Sequence, residues 1–213
     1  VIDRLSGVTE DITPRKEAEL EVKSHRAFER FIMNLCTAFV NMPADSVRET
    51  FEGALGELAT MIDADRAAIF IIDDKTDVLA VKYSWARDAA SSGPTYTEFA
   101  FAKDNPLRER ILREGLLRVD DVETLPAELG EVRRRLIANN VGSFIDLPLV
   151  RRGKLVGLYG FGTVGRKAVW SADIAARLAI AAEVFSNAIE RSQMEAEVRR
   201  HRDALAHALR VGT

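Results

Sequence analysis

The sequence predicts an α+β fold, a mainly antiparallel sheet with helices on one face, flanked by long helices at both ends. Two stretches without glycine or proline, Arg15 to Met42 and Ala172 to Val211, predict the long helices. Between them, Arg66 to Asp73 (RAAIFIID) and Val78 to Trp85 (VLAVKYSW) are apolar runs of strand length joined by Asp74-Lys75-Thr76-Asp77, which is turn material. Ser143 to Val150 and Leu155 to Thr163 form a second such pair, joined tightly through Arg151-Arg152-Gly153-Lys154, and so read as a hairpin.

Residues 1 to 13 alternate apolar and polar as a short strand does, and they end at Thr13-Pro14, a helix N-cap followed by proline at the first helical position. The incoming helix carries Leu20, Ala27, Phe28, Phe31, Ile32, Leu35 and Phe39 at three-four spacing and breaks at Met42-Pro43. A second amphipathic helix over 45 to 62 carries Val47, Phe51, Leu55, Leu58, Ala59 and Ile62 on one side. After the first strand pair comes a loop-rich stretch, Ala86 to Gly142. It holds a strand at Tyr96 to Phe101, a helix opened by Asn105-Pro106 and closed by Gly115, a short strand at Leu116 to Val119, and a helix from about Ala127 to Ala138. The last helix opens at Ser171 as N-cap, with Asp173 suited to the helix dipole, and spans roughly 60 Å at 1.5 Å per residue. Its first half (Ile174, Leu178, Ala181, Ala182, Phe185, Ala188, Ile189) packs on the domain. In its second half Met194, Val198, His201, Leu205 and Ala208 change to the four-three spacing of a coiled-coil seam, so the protruding helix needs a partner. With the flanking helices on one face of the sheet and the loop-rich segment on the other, the space beneath that segment is the natural small-molecule pocket.

Composition narrows the function. In 213 residues, 47% are hydrophobic, enough for one well-buried core plus extensions. A net charge of -3 with mixed signs throughout argues against a nucleic-acid partner, which demands clustered Lys and Arg. No apolar run is long enough to cross a bilayer and no signal peptide is apparent, so the segment reads as cytoplasmic. The single cysteine, Cys36, forms no internal disulfide and no thiolate cluster, in keeping with a reducing compartment. The first residue is Val rather than Met, as in an internal piece of a longer chain.

The order of elements, with RAAIFIID, SFIDLPLVRRGKLVGLYGFG and WSADIAARLAIAAEVFSNAIER, resembles a GAF domain over roughly residues 45 to 190. GVTEDITPRKEAEL resembles the end of a PAS domain (residues 1 to 14), where an Asp-Ile-Thr motif, here Asp11-Ile12-Thr13, leads into an outgoing signalling helix, here 15 to 44. The tail HRDALAHALRVGT, at the end of a coiled-coil linker over 191 to 213, resembles the approach to the dimerisation and phosphoacceptor helix of one class of histidine kinases. The resemblance implies a sensory module of a two-component histidine kinase that is not itself an enzyme. It implies a homodimer through the N- and C-terminal helices, and a response regulator met only through kinase domains outside these residues.

Several motifs admit a bland reading beside a functional one. Gly160 to Gly165 spells G-x-G-x-x-G, but Arg166 to Trp170 separate it from the helix signal at Ser171, so strand-end glycines are the better reading than a dinucleotide site. Cys36 sits on the apolar side of the incoming helix and reads as a small buried core residue. One cysteine cannot run the cycle of GAF-type methionine sulfoxide reductases, and bilin-attaching GAF domains carry theirs inside the domain, so no covalent bilin is expected. No histidine lies between residues 66 and 163, so neither haem nor a metal is expected there. His201 on the seam is either a titrating switch or a tolerated polar interruption. Asp63 and Asp65, Asp73 and Asp74, and Asp120 and Asp121 fall at element ends and read as turn residues. Arg133-Arg134-Arg135 reads as a solvated helix face from which one arginine can turn toward an anionic ligand.

The pocket candidates are Tyr83, Trp85, Phe99, Phe101, Phe144 and Asp146, a set suited to a small, partly apolar molecule. An ordinary core with no ligand at all is the competing reading. The Asn-Lys…Phe…Asp-Glu signature of the cyclic-nucleotide subset is absent. The same module in front of a diguanylate cyclase or a transcriptional activator is the alternative to a kinase, and a nucleotide-binding enzyme the remote one.

Overall fold

The computed structural model describes residues 13–43, 45–92 and 98–211, with only the backbone described for 13–15, 17, 18, 20 and 205–211. The Asp11 and Ile12 part of the predicted PAS-like motif and the strand at its start therefore lie outside the described residues, and Thr13 is the first residue of the first helix. The elements are α1 (Thr13–Val40), α2 (Val47–Met61), β1 (Arg66–Asp73), β2 (Val78–Ala86), β3 (Glu98–Ala100), α3 (Pro106–Glu114), β4 (Leu117–Val119), α4 (Gly130–Ala138), β5 (Val141–Arg151), β6 (Lys154–Val164) and α5 (Ala172–Val211), with short 3-10 turns at Val122–Thr124 and Ala127–Leu129.

Six strands form one sheet in the order β3-β2-β1-β6-β5-β4. Every described pairing is antiparallel. The β1–β2 connection turns at Asp73–Asp77, where Lys75 N donates to Asp73 Oδ1 (2.8 Å) and Asp77 N to Asp73 O (2.9 Å). The β5–β6 hairpin pairs Arg151 with Lys154 and turns on Arg152 and Gly153 at φ 49° and 76°. Both central residues are thus left-handed, the geometry whose twist matches a two-residue hairpin and which glycine accepts without steric cost.

Alternation along the strands separates two cores. Ala67, Ile69, Ile145, Leu147, Leu149, Tyr159 and Phe161 pack against α1, α2 and α5. From α1 the buried stripe is Phe28, Phe31, Leu35 and Phe39; from α5 it is Ala175, Leu178, Ala181, Ala182, Phe185, Ala188 and Ile189. Phe51 of α2 stacks on Tyr83 (centroids 4.3 Å apart), and Phe39, Phe185 and Tyr159 extend the aromatic cluster across helices and sheet. The smaller core, on the opposite face, joins Leu107 and Ile111 of α3, Leu129, and Val122 and Leu125 to Leu117, Phe144 and Leu158 of the sheet.

One expectation for the helices fails. Cys36 is exposed rather than buried. The stripe of α1 is narrow, and a residue next to Leu35 lies about 100° around the helix from it, past the edge of the contact. The helix predicted over Ala127 to Ala138 is a 3-10 turn running into α4 at Gly130.

A cavity between the sheet and its helical cover

α3 and α4 are held away from the sheet over part of its surface, leaving a cavity of about 610 Å³. Its floor is set by strand register. Ser84, Ala68, Gly160 and Asp146 lie side by side across β2, β1, β6 and β5, and Ala86, Arg66, Gly162 and Phe144 form the adjacent row. Three of four positions in the first row carry almost no side chain, so the backbone of the sheet itself is the floor. The walls and roof are mostly apolar, with Phe70, Phe99, Phe144, Leu107, Leu129, Val132 and Leu136, interrupted by polar and charged groups.

Asp146 is the acid of that floor. A methyl group at Gly160 would overlap its Oδ1, so the carboxyl lies over the glycine, and only glycine leaves it that room. Among the described residues no hydrogen bond or ion pair reaches it, and burial alone raises its pKa to about 7. Two guanidiniums stand in the wall. Arg66 opens β1 and donates to the carbonyls of Ser91 and Asn139, the latter at 2.9 Å. Arg135 comes from α4 and pairs with Glu131 at 2.9 Å, so one member of the arginine triplet does face the cavity.

The six predicted pocket residues divide between the two faces. Phe99, Phe144 and Asp146 line the cavity. Trp85 borders it at one end, but its indole packs over Gly56 of α2 on the helix side. Tyr83 faces the helices, stacked on Phe51, and Phe101 is wholly buried in the smaller core beside Arg108 (5.7 Å), away from the cavity. The Tyr83 assignment fails because a β-bulge between Ile69 and Phe70 shifts the β1–β2 register, so counting in twos along β2 misassigns its face. Sequence reasoning missed Arg66, Ala68 and the glycines as floor. The signal was present in Gly160 and Gly162, two apart on a strand and so on one face.

The glycine run does not open a helix. Gly160 and Gly162 lie inside β6, Gly165 turns at φ 62° where its N donates to Asn140 O, and α5 starts only at Ala172. The paired aspartates are at element ends, as expected, but one of them is a hub. Asp65 accepts from Val164 N (3.0 Å) and Arg166 Nε (3.1 Å) and pairs with Arg87 Nε (3.0 Å). Burial pushes its pKa up, but the Val164 amide and the two guanidiniums outweigh burial and hold it below the usual carboxylate value. The hub ties the α2–β1 connection to β2 and to the segment leading into α5. Asp120 accepts from Trp170 N (3.1 Å), and Asp121 caps the first 3-10 turn while pairing with Lys167 (2.7 Å).

An antiparallel sheet with a covered cavity on one face and long helices on the other defines the class, an α+β sheet domain with a ligand-sized cavity. The GAF domain family model matches residues 44–190, and the chain belongs to that family. No curated protein matches it by sequence. Among solved structures it is similar to the phycoerythrobilin-bound GAF domain of a cyanobacterial phytochrome, at 15% identity and TM-score 0.64, covering 79% of this chain and 97% of that one. It is similar to free methionine-R-sulfoxide reductase from Neisseria meningitidis in complex with its substrate, at 15% identity and TM-score 0.61, covering 79% and 91%. The GAF domain of an Acinetobacter phosphoenolpyruvate-protein phosphotransferase matches at 11% identity and TM-score 0.61, covering 82% and 98%. At these identities the likeness is one of fold. No helix among the described residues is long and apolar enough to cross a membrane.

Proposed function

We propose that this chain is the sensory GAF domain of a two-component histidine kinase, relaying a small-molecule or upstream PAS signal through its two long helices. The observation that carries the reading is the placement of cavity and helices on opposite faces of one sheet, with α1 and α5 touching each other directly. Arg177 of α5 reaches Ser24 Oγ (2.8 Å) and lies over the Phe28 ring (5.6 Å), and Phe39 meets Phe185 edge-on (5.4 Å). A displacement arriving along α1 is felt by α5 through these contacts, and a change in the cavity reaches both through a single layer of strands. Packed interfaces of this kind switch between discrete arrangements rather than deform smoothly.

The seam residues Met194 and Val198 are exposed at 45% and 68%, and His201 is exposed beside them, while the side chains of Leu205 and Ala208 lie outside the described residues. Two apolar residues on a protruding helix are satisfied by a second copy, so the reading includes a parallel homodimer. We assign the domain no reaction of its own and no metal, haem or covalent bilin. Output through a diguanylate cyclase or a transcriptional activator uses the same module and differs only in the sequence after Thr213, where a His-Glu-x-Asn box favours the kinase. Native mass spectrometry of the purified chain tests the reading, which expects two copies with or without a retained small molecule. A monomer at high micromolar concentration, unchanged when Val198 and Leu205 are replaced by Glu, would overturn the relay.

A further inference from the structure

We propose that the cavity takes a flat organic cation, an amidinium, guanidinium or protonated nitrogen heterocycle, seated on the sheet floor with its N–H donors on the Asp146 carboxylate above Gly160. This rests on the reading of the cavity as a ligand site and names the chemistry of what fills it.

Three features of the site point to a cation. The floor of Ala68, Ser84, Gly160 and Gly162 is almost bare of side chains, and Phe70, Phe99 and Phe144 stand around it, which suits an aromatic or conjugated plane. Asp146 is the acid of that floor, and it meets no donor among the described residues. An ionised carboxylate partly removed from water is costly unless a donor or a cation meets it. The remaining charged groups facing the cavity are Arg66 of β1, Glu128 just before α4, and Glu131 and Arg135 of α4. Arg66 is engaged by the carbonyls of Ser91 and Asn139, and Arg135 by Glu131. Among the described residues no cation acts on Asp146. An anionic ligand would meet the acid with its like charge, whereas paired N–H groups match the two carboxylate oxygens.

Three fluorescent aromatic probes of similar size separate the possibilities: proflavine (a cation), phenanthrene (uncharged) and anthracene carboxylate (an anion). They are titrated into the full chain and into Asp146→Asn, with phenanthrene competition locating proflavine in the cavity and thermal melts checking the fold. The expected result near pH 8 is proflavine affinity about ten-fold weaker in Asp146→Asn, with phenanthrene affinity unchanged. In the unaltered chain proflavine binding also weakens several-fold near pH 6, where Asp146 is protonated, which gives a second reading should the variant not fold. Equal proflavine binding by both proteins and at both pH values, or anthracene carboxylate binding as tightly as proflavine, overturns the inference while phenanthrene binding leaves the ligand-site reading standing. If the folded chain binds none of the three, the ligand-site reading falls and the inference with it.

Discussion

Asp146 and Asp65 start with the same ordinary acidity, and their surroundings push them in opposite directions. Asp146, raised from 3.8 to about 7, binds its proton more tightly folded than unfolded. Its ionisation therefore opposes folding: stability falls as pH rises from about 4 to about 7 and is level above that. Because the cavity admits water, the penalty is on the order of 2 kcal/mol rather than the full linkage value. Asp146→Asn is expected to be more stable than the parent by that amount near pH 8 and indistinguishable near pH 4, read from urea titrations at the two pH values. A loss of stability near pH 8 would mean that the carboxylate already has a partner. Asp65, lowered by the Val164 amide and by Arg166 and Arg87 against the effect of burial, has the opposite sign. Its contribution is complete above the unfolded value and disappears as pH falls through its lower folded value. Asp65→Ala should cost about 2 kcal/mol near pH 7, since it strands a backbone amide and two half-exposed guanidiniums, and the difference should shrink near pH 3. The sequence placed Asp146 among pocket candidates and Asp65 at a turn, but it did not indicate the direction in which each is pushed. What pushes Asp65 down arrives from Arg87 and from Val164 and Arg166 about a hundred positions away, and what pushes Asp146 up is burial in the cavity floor.

Elements were the most legible scale, because their signals are local. Asn105 accepts from Leu107 N (2.9 Å) with Pro106 behind it, and Gly115 closes α3 at φ 73°, as those residue types predict. Ser171 Oγ accepts from Ile174 N (3.1 Å) at the start of α5. Helix α5 has two unlike halves: its last buried residue is Ile189, and the described side chains from Gln193 onward are exposed. Phe185→Ala in the first half should cost about 3–5 kcal/mol, since it empties the centre of an aromatic cluster fed by α1, α2 and β6. Ending the chain after Arg191 should leave the melting temperature of the domain within about 3 °C of the parent, because the residues removed pack little on the domain within one copy. A large drop would show that the second half supports the domain in cis. Where element reading failed, at Cys36 and on the β2 faces, the cause was a contact width and a bulge, neither of which leaves a periodic mark.

At the scale of the whole molecule the helices and the cavity communicate through the sheet and through the contacts between α1 and α5. Arg177 is the most specific of these contacts, since it meets a hydroxyl, a carbonyl and a ring of α1 at once while paired with Asp173 (2.8 Å). Arg177→Ala should lower hydrogen-exchange protection along α1 by several-fold while leaving β1 and β6 amides unchanged, since the sheet does not depend on it. Uniform loss across the domain would indicate that the arginine is a general support rather than a coupling contact. The paired replacement of Val198 and Leu205 by Glu should convert the dimer to monomer in sedimentation without altering the melt of the sheet domain.

Apolar periodicity, caps and turn residues by themselves determined which segments are helix and strand, that the sheet is antiparallel, and that two helices outrun the domain. These are properties of neighbours in the chain, and local physics writes them directly into the order of residues. Only the tertiary structure decided that Gly160, Ala68 and Ser84 align as a bare floor beside an acid with no partner among the described residues, that Tyr83 and Phe101 turn away from it, and that Arg87 and Arg166 converge on Asp65. Those facts depend on strand register and on the distance at which α3 and α4 stand from the sheet, quantities set by packing between residues far apart in sequence.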